Sequence, residues 1–279
     1  IQSVIDSSGA GDTISFTPGA YDVSTTLHLK SNLVLAGQPG AELVSTAPVT
    51  MVDAQHVSHV TIEGLTFDGG SGGAGPVSGS NAAVFLNGDT GVNVVNNTFQ
   101  HLTADAAVFV FDSDTIAINH NTATDIVQFA SIHPNNAPHQ GLEILDNNIS
   151  NVSRFGIEIQ GPEDHFYVDG NTLSGIAGIA ISVVDDSQQE RSAAIANNFI
   201  TSAGVGIEMG DANMNVIGNT MTNMEWGISV SATPNSFVEL NNFASVTHPF
   251  SPDGGFTGQE TVGVNTIDNH AVNGWFFGG

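Results

Sequence analysis

Among the residues of this chain able to move a proton or hold a charge, four stand where they could act together: His133, Arg154, Glu158 and Glu208. A histidine serves as general base near neutral pH, and an arginine neutralises a carboxylate through a two-pronged hydrogen bond. Two carboxyls held roughly 6.5–9.5 Å apart can act as acid and base on a glycosidic bond, with a water between them. Ser131 and Gln160 stand near these four in sequence and can bond hydroxyls, while the rings of Phe109 and Phe111 can take the apolar face of a sugar. The chemistry open to this set is acid–base work on a polysaccharide. A plainer reading stands beside it: two solvated acids, a loop histidine, and an arginine paired with Glu158 or Glu163. Chemistry requires convergence, and convergence depends on the elements that carry these residues.

Those elements repeat. Seven segments share the frame apolar-x-apolar-x-x-Asn: 92–97, 116–121, 142–147, 166–171, 193–198, 214–219 and 237–242. Their closing asparagines are 24, 26, 24, 27, 21 and 23 residues apart. An earlier segment, 60–67, keeps the apolar frame with Leu65 at the asparagine place. Alternation of period two marks strands, and a step near 24 is one coil of a β-solenoid. The expected fold is all-β: a right-handed parallel β-helix over 1–250, with a helical cap at Ile1, Val4 and Ile5. Residues 251–279 read as a capping or linker segment. The asparagine row has a structural role first, in turns and in amides stacked from coil to coil.

A second strand precedes each asparagine frame, at 83–87, 107–111, 129–133, 156–160, 178–182, 206–210 and 227–231. Its second and fourth residues are apolar and point inward, as Ile157 and Ile159 do. The outward residues then form two rows. One reads Phe85, Phe109, Ser131, Glu158, Ala180, Glu208, Ser229; the other reads Asn87, Phe111, His133, Gln160, Ser182, Gly210, Ser231. In this frame Glu158 and Glu208 lie two coils apart, about 9.6 Å at ~4.8 Å per coil.

The opening residues resemble a known family. Ile5, Gly11-Asp12-Thr13-Ile14, Pro18-Gly19-Ala20-Tyr21 and the run from Leu33 to Gly37 look like the first coils of pectate-lyase-like β-helix proteins. Val60-Thr61-Ile62-Glu63-Gly64-Leu65-Thr66-Phe67 resembles a recurrent coil of the same superfamily. Within it, the catalytic modules of mannuronan C5-epimerases look nearest. The resemblance implies Phe, Asp, Pro and His together on one coil and an Asp on the next. Phe129-Ala130-Ser131-Ile132-His133-Pro134 supplies the Phe and the His without the Asp, and the following coil offers Glu158 and Gln160. The superfamily includes lyases, hydrolases, epimerases and non-catalytic surface proteins, so the resemblance implies fold more than activity.

Composition narrows the partners. The 279 residues hold 3 Lys plus Arg against 28 Asp plus Glu, a formal charge of −25. Such a field repels nucleic acid and polyanions and suits a neutral glycan. No apolar run is long enough for a membrane span. The absence of cysteine fits a secreted or cell-surface bacterial protein. No cofactor is expected. Oxygen ligands for calcium are offered only by Glu163-Asp164-His165 and Asp185-Asp186, neither with the spacing of a calcium loop. His56 and His59 share a turn without a third zinc ligand. Two function classes remain: a secreted polysaccharide hydrolase, lyase or epimerase, and a non-catalytic surface, matrix, filament or adhesin solenoid. In the second, the outward phenylalanines are contacts, to another copy of the chain or to a covering loop.

Overall fold

The computed structural model describes residues 1–70, 82–104, 106–127, 129–135, 140–161, 164–184, 193–210, 213–230, 235–251 and 261–273. They form a parallel β-solenoid. One sheet of 11 strands runs its whole length, and a second set of 18 strands makes up the other faces. A complete coil has three strands, such as Thr90–Val95, Thr98–Leu102 and Ala106–Phe111. The next coil repeats them as Asp114–Asn119, Thr122–Ile126 and Ala130–Asn135, each parallel to its predecessor.

The sequence frame shows only two of these three strands. The middle one hides because its inward residues are three apart: Phe99 and Leu102, Ala123 and Ile126, Ile149 and Val152. The residue before the second member of each pair, His101, Asp125 and Asn151, has φ of 53°, 56° and 53°. That left-handed bend resets the alternation, so a period of two is never seen.

Inside, one residue per coil stacks into columns. Val94, Ile118, Ile144, Val168, Ile195 and Val216 face one another in register and are fully buried. Beside them stands the asparagine ladder: Asn97, Asn121, Asn147, Asn171, Asn198, Asn219, Asn241 and Asn265. From Asn121 onward, each Oδ1 accepts from the backbone N–H and the Nδ2 of the asparagine one coil earlier, as Asn147 does from Asn121 at 2.9 and 3.1 Å; Asn97 Oδ1 accepts from Leu65 N–H. Each Nδ2 also donates back to a carbonyl of the preceding coil, Asn147 to Ile118 at 2.7 Å. The left-handed turn residue is not the ladder asparagine but the one before it: Asn96, His120, Asp146, Gly170, Asn197, Gly218 and Leu240 all have positive φ.

In the last repeat the ladder residue is Asn241, not Asn242. The frame there is Ser236-x-Val238-x-x-Asn241, with Val238 fully buried and Phe237 exposed. Ser236 replaces the first apolar residue, which disguises the pattern by one position. Of residues 251–279, Thr261–Val262 and Val264–Ile267 continue the parallel stacking. Asn265 joins the ladder there, and His270–Asn273 then folds back antiparallel on Val264–Ile267.

At the other end a short helix, Gln2–Ser7, covers the first coil. Ile5 is fully buried and Ile1 partly so, while Val4 points outward at 50% exposure. Lys30 Nζ donates to the carbonyls of Asp6 and Ser8 at 3.0 and 2.6 Å, closing the C-terminal end of that helix. Among the described residues no helix is long and apolar enough to cross a membrane.

Replacing Asn147 by Ala strips the acceptor from two donors of Asn121 and the donor from Ile118 O. Buried groups left unpaired in this way cost roughly 3–5 kcal/mol together. Ile159→Ala, at a fully buried site, costs about 2–5 kcal/mol. Glu208→Ala costs far less. Urea denaturation of the three variants checks that order.

Candidate functional site

The third strand of each coil carries the site residues, and its register brings them together more closely than the sequence rows imply. Ile132 pairs with Ile157 and Asn135 with Gln160, which places His133 opposite Glu158. Phe109 precedes His133 and Phe85 precedes Phe109. Glu158 is followed by Ser182, then Glu208, then Ser229. One outward row therefore reads Asp53, Phe85, Phe109, His133, Glu158, Ser182, Glu208, Ser229. Its neighbour reads Gln55, Asn87, Phe111, Asn135, Gln160, Val184, Gly210.

Two expectations are corrected. The strand expected at 129–133 is Ala130–Asn135, with Ile132 and the buried Pro134 inward. Proline at an inward place broke the apolar alternation and moved the frame by two. Ser131 consequently faces the interior, fully buried beside Phe99, Ile118 and Ile149, and takes no part in the outward site. The strand expected at 178–182 slips by the same amount: Ile181 and Val183 pair with Ile157 and Ile159. Ser182, not Ala180, then lies between Glu158 and Glu208.

His133 and Glu158 are nearly sealed from solvent, at 5% and 3% exposure. His133 Nε2 lies 3.5 Å from Glu158 Oε2 and 3.3 Å from Gln160 Oε1. Gln160 Nε2 donates to Glu158 Oε1 at 2.9 Å, and Asn135 Nδ2 donates to Gln160 Oε1 at 3.0 Å. The imidazole sits edge-on to Phe109, centroids 4.6 Å apart, and 4.9 Å from the ring of Phe129. Gly156 lets the strand come close: a Cβ there would lie 2.5 Å from the carbonyl oxygen of Ala180.

Burial pushes the Glu158 carboxyl up to about 7. The bond from Gln160 and the Arg154 cation pull the other way, and Glu208 adds to the rise. Near neutrality, therefore, Glu158 carries its proton about half the time and can serve as donor or acceptor toward His133. Arg154 is exposed, with its guanidinium carbon 4.6 Å from the ring centre of Phe129 and 4.8 Å from that of Phe155. Glu208, half-buried, accepts from Ser182 Oγ at 2.6 Å. Phe109 is turned away from the coil interior yet only 6% exposed, packed outside the main core with Phe85, Phe111, Ala82 and Ala106.

The structure thus joins His133, Glu158 and Gln160 in one network, sets Arg154, Phe109 and Phe111 around it, and leaves Glu208 two coils on. Asn135 and Phe129 belong to the network and were not among the residues singled out for binding. A constant coil step would have found Asn135, 25 residues before Gln160. Glu163 and Asp185-Asp186, considered for calcium, lie outside the described residues, as do residues 136–139. Among the described residues no three His, Cys, Asp or Glu side chains gather as a metal site.

A raised carboxyl makes folding depend on pH. In the folded chain Glu158 binds its proton up to about pH 7, against an ordinary value of 4.5. The stability it contributes is full below pH 4.5 and is lost progressively as pH rises from 4.5 to about 7, by about 3 kcal/mol at most. Glu158→Gln removes this loss. Melting curves from pH 4 to 8 should fall less steeply for the variant than for the parent.

A search of curated proteins by sequence finds no match. Solved structures share the fold at low identity. A tailspike protein of E. coli bacteriophage HK620, a mutant in complex with a hexasaccharide, is 15% identical with a TM-score of 0.64 over 95% of this chain. The surface protein and adhesin PfbA of Streptococcus pneumoniae is 12% identical with a TM-score of 0.56, over 95% of this chain and 91% of its own. A mannuronan C-5 epimerase A-module from Azotobacter vinelandii is 15% identical, covering 96% of this chain and 88% of its own, with a TM-score of 0.48. The chain spans 60% of the tailspike's length. The family model described as "Right handed beta helix region" matches residues 37–173 and 82–243. Its span takes in the ladder from Asn97 to Asn241, the His133–Glu158 pair and Glu208, and the chain belongs to the right-handed β-helix family.

Proposed function

We propose that this is an extracellular carbohydrate-active protein that binds and hydrolyses a neutral polysaccharide on the outward face of its third strands. The observation that carries the reading is the buried His133–Glu158 pair, whose carboxyl is held near pH 7 by burial. A protonated carboxyl is what a glycosidic oxygen needs to leave, and Glu158 takes that part. Glu208, oriented by Ser182, lies two coils on, about 9.6 Å by coil spacing, and takes the water. His133 returns the proton to Glu158, and Arg154 steadies negative charge. Gln160 and Asn135 orient hydroxyls, and Phe111 with Phe109 extends the floor. A tailspike of the same fold, whose name speaks of a hexasaccharide, supports a sugar as substrate class. Elimination and epimerisation of polyuronates fit less well, because the −25 charge opposes an acidic chain.

A second reading is a non-catalytic surface solenoid. The low exposure of His133 and Glu158 favours it, since a reacting sugar must reach them. A panel of polysaccharides, assayed for new reducing ends and for unsaturated products, separates the two. In the enzyme reading new reducing ends appear, and His133→Ala and Glu158→Gln each lower turnover by at least a hundredfold. Glu158→Gln stays folded, with a melting temperature near the parent's at pH 5; His133→Ala empties a packed site and melts lower, while its circular dichroism stays that of the parent. Full activity in both variants would place the chemistry elsewhere.

A further inference from the structure

A second polar cluster stands on the same outward row, at its start. Asp53 precedes Phe85, Phe109 and His133 in register. It is 6% exposed, an unusual place for an aspartate. Its Oδ2 accepts from Gln55 Nε2 at 3.0 Å and lies 3.1 Å from His28 Nδ1. Its Oδ1 is buried with no hydrogen-bond partner. Gln55 and His28 are both exposed, so the carboxylate lies beneath two surface side chains that it orients.

A fold gains nothing by desolvating an oxygen and leaving it unpaired; a ligand donor would relieve that cost. The free groups here are all acceptors. They are Asp53 Oδ1, the amide oxygen of Gln55, and His28 Nε2 once Nδ1–H is given to Asp53. Converging acceptors recognise hydroxyl donors. Phe85, one coil on, supplies a ring for the apolar face of a sugar, and its centroid is 5.6 Å from that of Phe109.

We propose that Asp53, His28 and Gln55 form a distal subsite for a neutral, hydroxyl-rich sugar on the same chain that reaches His133 and Glu158. This rests on the carbohydrate reading above. Three coil steps separate Asp53 from His133, about 14 Å at ~4.8 Å per step. The two clusters thus select an extended chain lying along the solenoid axis, with the phenylalanines between them.

Affinity electrophoresis of the full chain through gels holding dextran, galactomannan, xylan or arabinan tests it. The parent should be retarded by at least one of them. For that polysaccharide, His28→Ala combined with Gln55→Ala should raise Kd roughly tenfold, two hydrogen bonds' worth. Truncating both also opens Asp53 to water, which replaces the two lost hydrogen bonds, so the melting temperature should stay close to the parent's. Asp53→Asn should weaken binding likewise, by turning an acceptor into a donor. If none of the four polysaccharides retards the parent, the carbohydrate reading fails and the subsite with it. If the parent is retarded and the double variant equally so, the subsite alone is wrong. A melting temperature raised by calcium in the parent but not in Asp53→Asn would make the cluster a cation site and overturn the proposal.

Discussion

The asparagine ladder is the interaction on which the rest of the molecule depends. An amide in the interior is tolerable only when all its hydrogen-bonding groups are met. Here each amide is met by the coil before and the coil after, at exposures of 3% or less. A displaced coil would put a residue such as Thr122, Gly170 or Phe199 at the ladder place and strand two donors of its neighbour. The hydrophobic columns permit a slip of two residues, which keeps the inward face inward, since valine and isoleucine pack much alike. The ladder does not, and so it fixes the register of every strand that follows the turn.

Register in turn builds the outward site. Because each coil places one residue on each row, side chains 24 or 25 residues apart become neighbours, as Phe109, His133 and Glu158 are. No single loop has to be shaped for the purpose. The strand rigidly presents His133, Glu158 and Gln160, and the apolar rings of Phe109 and Phe129 take water away from them. That loss of water, more than any nearby charge, raises Glu158. A similar burial raises Asp89, to about 6, but its oxygens accept from the backbone of Val57 and Asn87, and it serves a turn.

Much of this was legible in the sequence. The solenoid, the column through Val94 and Ile118, and six of the ladder asparagines follow from spacing alone. His133, Glu158 and Gln160 were singled out, though with His133 in the row of Gln160 and not in that of Glu158. The rows failed where apolar alternation was the guide: Pro134 inward and a serine-to-valine stretch at 182–184 both mimic a shifted frame. The ladder itself held the better ruler. Its steps of 24, 26, 24, 27 and 21 from Asn97 to Asn219 agree to within one residue with the steps of 24, 25, 24, 26 and 21 along the outward row from Phe109 to Ser229. The middle strands were illegible for another reason, since a left-handed residue in each interrupts their period. Side-chain burial and the drift of a carboxyl toward neutrality depend on three-dimensional packing, and no spacing reports them.

The ladder also has a direction. Every Oδ1 faces the earlier coil and receives its hydrogens, from Leu65 N–H at Asn97 through to Asn241 at Asn265. The side-chain dipoles therefore add head to tail. Their negative end lies at Asn97 and their positive end at Asn265, and each bond polarises the next. Such a column accepts a new coil at Asn265 only if the chain runs the same way, because a reversed one would set N–H against N–H. His270–Asn273, running antiparallel, cannot extend it. Parallel topology here is thus enforced by electrostatic polarity as well as by strand pairing.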